Sequence, residues 1–214
     1  MKILFIGNSY TYFNEMPEQL GALMRENGFD VTVHSVTKGG RKLREYADIA
    51  DTYRDAIDAY AKEGGYDVLI LQEQSFYALI DRAEFIRGVR ELKGKVGAKR
   101  TVLYATWGRG DGCPLLDEHG WTRESMTEGL AAAYAEAAEL ISGEVSAVGR
   151  AFYRMLELYP ETTLYTDDLS HPSKTGTALG VLTHYKTITG SLPEKYTSLA
   201  LSDELVQHML EVLS

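Results

Sequence analysis

The sharpest chemical pattern in this chain is Tyr165-Thr166-Asp167-Asp168-Leu169-Ser170-His171-Pro172-Ser173. Asp168 and His171 stand three residues apart, close enough for the carboxylate to hold one ring nitrogen of the imidazole. The other nitrogen is then free to take a proton from a hydroxyl. Pro172 restricts the backbone at His171 and reinforces a turn there. Taken alone, an Asp-x-x-His spacing reads equally well as a helix-entry loop with Asp168 or Ser173 as a cap. No second histidine lies nearby to complete a ligand set, so no metal is expected.

A base of this kind needs a nucleophile, and Ser9 is the candidate. It lies in Gly7-Asn8-Ser9-Tyr10-Thr11, directly after the apolar run Ile3-Leu4-Phe5-Ile6. A serine at a sharp strand-to-helix turn presents its hydroxyl, although Asn and Ser are also ordinary capping residues. Lys38-Gly39-Gly40-Arg41 follows Val31-Thr32-Val33-His34-Ser35-Val36, an alternating stretch rich in β-branched residues. Its glycines let backbone approach a ligand and offer N–H groups, or simply make a turn. Gln72-Glu73-Gln74-Ser75 follows the apolar run Val68-Leu69-Ile70-Leu71. A carboxamide there can donate to a developing oxyanion, and can equally cap a helix. His34, His119, His184 and His208 have no comparable setting, and nothing near Cys113 suggests thiolate activation.

The elements that must position these residues alternate. Strands are expected at Ile3–Ile6, Val31–Val36, Val68–Leu71, Thr101–Ala105 and Glu144–Val148. Helices are expected at Pro17–Asn27, Leu43–Lys62, Phe85–Val96, Arg123–Ile141, Ser173–Thr187 and Ser202–Leu213. Alternation of this kind implies an α/β fold with a parallel sheet covered on both faces. In such sheets the site lies at the carboxyl ends of the strands. The irregular stretch Gly108 to Gly120, with four glycines and Pro114, reads as a loop over the site, a substrate-facing lid.

Bulk properties narrow the function classes. The 214 residues suit one domain over the whole chain, 1–214. A net charge of −9 argues against nucleic acid and anionic membrane as partners. The single cysteine allows no internal disulfide, and the first apolar run is too short for a signal-peptide core, so a cytoplasmic location is expected. A nucleotide binder of flavodoxin type is disfavoured by the charge and by the lack of Gly-x-x-x-x-Gly-Lys-Ser/Thr and Gly-x-Gly-x-x-Gly.

The order serine, glycine, carboxamide, Asp-x-x-His resembles the SGNH hydrolase superfamily, which includes the GDSL esterases and lipases. Gly7-Asn8-Ser9-Tyr10 stands where many members have Gly-Asp-Ser-Leu, and Asp168-Leu169-Ser170-His171-Pro172 matches their Asp-x-x-His-Pro. The resemblance spans nearly the whole chain. It implies a three-layer α/β/α sandwich of flavodoxin-like topology with a five-stranded parallel sheet. It also implies Ser9 as nucleophile, His171 as base and Asp168 as orienting carboxylate, with no cofactor. The Ser9 and Gly40 backbone N–H groups (Gly39 is the alternative) and the Gln74 amide would form the oxyanion hole. The third block departs, because the family usually shows Gly-x-Asn-Asp there. Gln72-Glu73-Gln74-Ser75 looks like a divergent subgroup of bacterial origin. The implied substrate is a small ester, with a short acyl group such as acetyl on a carbohydrate. Asn8, Trp107 and Arg109 are expected to contact it, and Trp121 would share the same loop face. The altered third block also motivates a second expectation, a non-catalytic sugar or small-ligand module on the same fold.

Overall fold

The structure, a computed structural model, describes residues 1–214. Its elements in chain order are β1 (Lys2–Gly7), α1 (Ser9–Tyr12), a 3-10 turn (Phe13–Glu15), α2 (Met16–Glu26), β2 (Thr32–Thr37), α3 (Leu43–Asp48), α4 (Thr52–Glu63) and β3 (Val68–Leu71). There follow α5 (Tyr77–Ile80), α6 (Arg82–Val96), β4 (Arg100–Tyr104), α7 (Pro114–His119), α8 (Arg123–Ile141), β5 (Glu144–Ser146), α9 (Val148–Leu158), α10 (Lys174–Thr189) and α11 (Asp203–Leu213).

The five strands pair in parallel in the order β2-β1-β3-β4-β5. Successive side chains of a strand point to opposite faces, and the two cores divide accordingly. Ile3, Phe5, Val68, Ile70, Val102 and Tyr104 enter one core with α2, α9, α10 and α11. Leu4, Ile6, Leu69, Leu71 and Leu103 enter the other with α3, α4, α6 and α8. Continuous burial along β1 and β3 follows from this double coverage. The result is a three-layer α/β/α sandwich, as the alternation of elements implied.

The chain leaves β1 for β2 on one side and returns to β3 on the other, so the strand order switches between β1 and β3. The loops at their carboxyl ends diverge there and leave a crevice. Residues 8, 40, 74 and 109 all follow carboxyl ends of strands.

Three expected boundaries are corrected. The helix expected over Leu43–Lys62 is two helices, because Asp51 caps α4 by accepting from the Tyr53 and Arg54 amides. Its other oxygen accepts from Arg41 at 2.5 Å. The last strand stops at Ser146, and Val148 opens α9, whose buried Val148, Ala151, Phe152 and Met155 recur at helical spacing. The stretch Gly108–Gly120 contains α7, and its first part is buried rather than free to act as a lid. No helix is long and apolar enough to cross a membrane.

Candidate active site

The Ser9 turn is built by side chains from three segments. Asn8 caps α1, its Oδ1 accepting from the Tyr10 amide at 3.2 Å. Its Nδ2 donates to the Arg41 carbonyl at 3.1 Å, which fastens the Gly39-Gly40 turn to the Ser9 turn. Gln72 Oε1 accepts from the Asn8 amide and from the Thr11 hydroxyl, both at 2.9 Å. A side chain on Gly7 would strike that oxygen at 2.8 Å, so only glycine lets Gln72 approach.

Asp168 and His171 are presented by a tight loop closed by the Tyr165–Pro172 bridge, with the Thr166 amide donating to the His171 carbonyl at 2.9 Å. Leu169 takes a left-handed conformation, φ 56°, which turns the chain between them. Asp168 Oδ1 accepts from the Ser170 and His171 amides at 2.9 and 2.8 Å and from the Thr166 hydroxyl at 2.8 Å. Its Oδ2 accepts from His171 Nδ1 at 2.5 Å. Partial burial works to raise the Asp168 pKa, but these hydrogen bonds prevail and hold the carboxyl well below the usual carboxylate range. With Nδ1 protonated toward Asp168, Nε2 is the acceptor for the Ser9 hydroxyl, 2.8 Å away. The ring is held by a face-to-face stack on Phe13, centroids 4.3 Å apart, and an edge contact with Tyr10 at 5.4 Å.

The third block divides its labour. Gln72 pins the Ser9 turn. Glu73 is buried and accepts from the Gln74 amide at 2.6 Å and the Leu43 amide at 3.1 Å, linking this block to the start of α3. Burial pushes its carboxyl up to about 7 despite those two donors. Gln74 faces the cavity, and its carboxamide makes no hydrogen bond within the protein. Ser75 Oγ accepts from Arg109 Nη2 at 3.0 Å. Gly40, at φ +68°, needs the glycine conformation rather than extra space, since a Cβ there would meet nothing within 4 Å.

These residues enclose one cavity of about 280 Å³, lined by Ser9, Gly40, Gln74, Arg109, Asp168 and His171 with Asn8, Tyr10, Ser75 and Ser170. The structure therefore brings the proposed nucleophile, base, carboxylate and oxyanion donors to one place. Sequence reasoning missed Tyr10, Ser75 and Ser170. Their proximity to better candidates in sequence was the only available signal. Three larger surface clefts, about 490, 550 and 470 Å³, lie elsewhere and hold no paired nucleophile and base.

Two expected substrate contacts are corrected. Trp107 is buried, stacked between Tyr10 and Phe152 at 4.7 and 4.2 Å, and supports the site from behind. Trp121 stacks on His119 at 4.4 Å and does not line the cavity. Asn8 does line it, but both ends of its amide are engaged by backbone. Arg109 lines it as expected. Cys113 is buried and free.

No family model and no curated protein matches the chain. Solved structures do. A protein of Slackia heliotrinireducens described as a candidate SGNH hydrolase shares 27% identity at TM-score 0.76, covering 88% of this chain and 98% of that one. A lipase/acylhydrolase from Enterococcus faecalis is similar in fold at TM-score 0.65 and 16% identity, covering 91% and 98%. A catalytic mutant of an acetylxylan esterase from Geobacillus stearothermophilus is similar at TM-score 0.61 and 13% identity, covering 94% of each chain.

Proposed function

The chain belongs to the SGNH hydrolase superfamily, an ester-bond hydrolase of that type, and we propose that it is a serine esterase working through Ser9, His171 and Asp168. The observation that carries this reading is the unbroken relay from Asp168 Oδ2 through His171 to Ser9 Oγ, with contacts of 2.5 and 2.8 Å.

In this mechanism Ser9 Oγ attacks the ester carbonyl carbon while Nε2 of His171 takes the hydroxyl proton. The carbonyl π electrons move to oxygen, and the oxyanion is met by the Ser9 and Gly40 backbone N–H groups and the Gln74 amide. Asp168 stabilises the imidazolium. The C–O bond to the alcohol then breaks, and Nε2 returns the proton to the leaving oxygen. Water, deprotonated by the same nitrogen, attacks the acyl-enzyme and releases the acid and the free serine.

The cavity supports a short acyl group. Tyr10 is its only hydrophobic lining residue, and a long alkyl chain would find no apolar wall. Acetyl on a carbohydrate or another polar alcohol fits that surface, with Arg109 contacting the polar part. The alternative of a binding module on the same fold, motivated by the altered third block, would be favoured by Ser9 and His171 lying beyond hydrogen-bond reach, and they lie 2.8 Å apart.

The test is labelling by a fluorophosphonate together with turnover of 4-nitrophenyl acetate. Labelling at Ser9 and loss of both signals in Ser9→Ala are expected. A wild-type protein that neither labels at Ser9 nor turns over the ester overturns the assignment.

A further inference from the structure

Resting on the esterase reading of this cavity, we propose that Arg109 forms a subsite for a carboxylate carried by the substrate, so that the preferred ester is an anionic one. Arg109 is the only cationic side chain lining the cavity apart from the base His171. Other partly buried arginines have an acidic partner, Arg41 with Asp51 at 2.5 Å and Arg123 with Asp111 at 3.0 Å. Arg109 has none within ion-pair distance. Its one side-chain hydrogen bond within the protein goes to Ser75 Oγ, and its Nε is buried without a partner. A guanidinium offers five donors, so most of its capacity is uncommitted. Holding a partly desolvated cation without a counter-charge is unfavourable, and an anion entering the cavity removes that penalty.

The cation is also held at a set place relative to the reacting atoms. The Gly110 amide donates to the Leu169 carbonyl at 2.8 Å, between Asp168 and His171. The Gly108 amide donates to Thr127 Oγ1 at 3.0 Å, and the Tyr165 hydroxyl donates to the Gly108 carbonyl at 2.8 Å. Both neighbours of Arg109 are thus anchored, one of them to the loop that carries the base. The guanidinium also lies 5.9 Å from the Tyr10 ring centroid, at the edge of cation–π range. The one anionic side chain lining the cavity, Asp168, is committed to His171, so the site has a single free positive charge. That matches a monoanion, and a planar carboxylate suits the guanidinium fork.

The experiment compares charged and neutral esters in two arms. Mono-4-nitrophenyl succinate against 4-nitrophenyl acetate places the carboxylate on the acyl side. 4-Acetoxybenzoate against its methyl ester places it on the alcohol side. In one arm the wild type is expected to favour the anionic ester. In Arg109→Gln the charged-to-neutral ratio of kcat/KM should fall about ten-fold or more, with partial recovery in Arg109→Lys. An unchanged ratio in both arms, or equal losses on charged and neutral esters, overturns the proposal and makes Arg109 a positioning residue. Calorimetry of succinate and 4-hydroxybenzoate with wild type and Arg109→Gln reads the subsite without turnover. Arg109-dependent binding there upholds it even if the esterase assignment fails, and absence of binding overturns it.

Discussion

The Trp107 indole N–H donates to the Ser170 carbonyl at 2.9 Å, tying the segment after β4 to the residue that precedes His171. Tyr10, the residue after Ser9, stacks on the same indole, and its hydroxyl meets Ser170 Oγ at 2.7 Å. One buried ring therefore holds the neighbours of both the nucleophile and the base, although they are 162 residues apart in the chain.

Trp107→Phe keeps most of the ring stack but leaves the Ser170 carbonyl without its donor. Stability should fall by about 1–3 kcal/mol in chemical denaturation, with kcat falling more than KM changes. Trp107→Ala should cost about 3–5 kcal/mol. A Trp107→Phe protein with changed KM and unaltered stability would return Trp107 to the substrate side.

Ser9→Ala and Asp168→Asn should each lower kcat for a short ester by about 10³-fold or more. Asp168→Ala carries an extra signature. Asp168 Oδ1 also accepts two backbone amides, which an asparagine oxygen could still hold but alanine cannot, so in Asp168→Ala the loop should show faster amide exchange at Ser170 and His171. Loss of activity without that exchange would confine Asp168 to the imidazole.

Gln74→Ala should reduce kcat by about 10²–10³-fold with little effect on KM, the mark of a donor used mainly in the transition state. Gln74→Asn tests reach: the shorter amide should recover only part of the loss. An unimpaired Gln74→Ala enzyme would leave the backbone donors at Ser9 and Gly40 to carry the oxyanion.

Two buried groups should give opposite pH dependences of stability. Burial lowers His184 to about 3, so between there and the ordinary value near about 6.5 only the unfolded chain binds the proton. Stability from this residue falls as pH drops through that window. Burial raises Glu73 to about 7, so between about 4.3 and 7 only the folded chain holds the proton, and stability falls as pH rises. Glu73→Gln should therefore gain on wild type by about 3 kcal/mol between pH 4.5 and 7. His184→Phe should gain on wild type as pH falls below about 6.5. Denaturation curves across this range that show parallel profiles for wild type and both variants would contradict these environments.

Much of the fold was legible from local pattern. Ile3–Ile6 and Val68–Leu71 are short and apolar without interruption, as suits strands covered on both faces. α9 was legible too but overlooked, since Val148, Ala151, Phe152 and Met155 repeat at helical spacing. The break at Asp51 was harder to see, because an acidic residue in an amphipathic stretch reads as a solvated face until its capping bonds are known.

The same distinction runs through the site. Asp168 and His171 meet across three residues, a distance the covalent chain itself limits, so their pairing could be inferred from spacing. Ser9 could be named because it directly follows a strand, and the carboxyl ends of strands gather the site in a parallel sheet. The inward stack of Trp107, the separate tasks of Gln72, Glu73 and Gln74, and the unpaired charge of Arg109 had no local signature. Each depends on which distant groups lie within hydrogen-bond reach after the sheet has closed, and short-range spacing carries no information about such contacts.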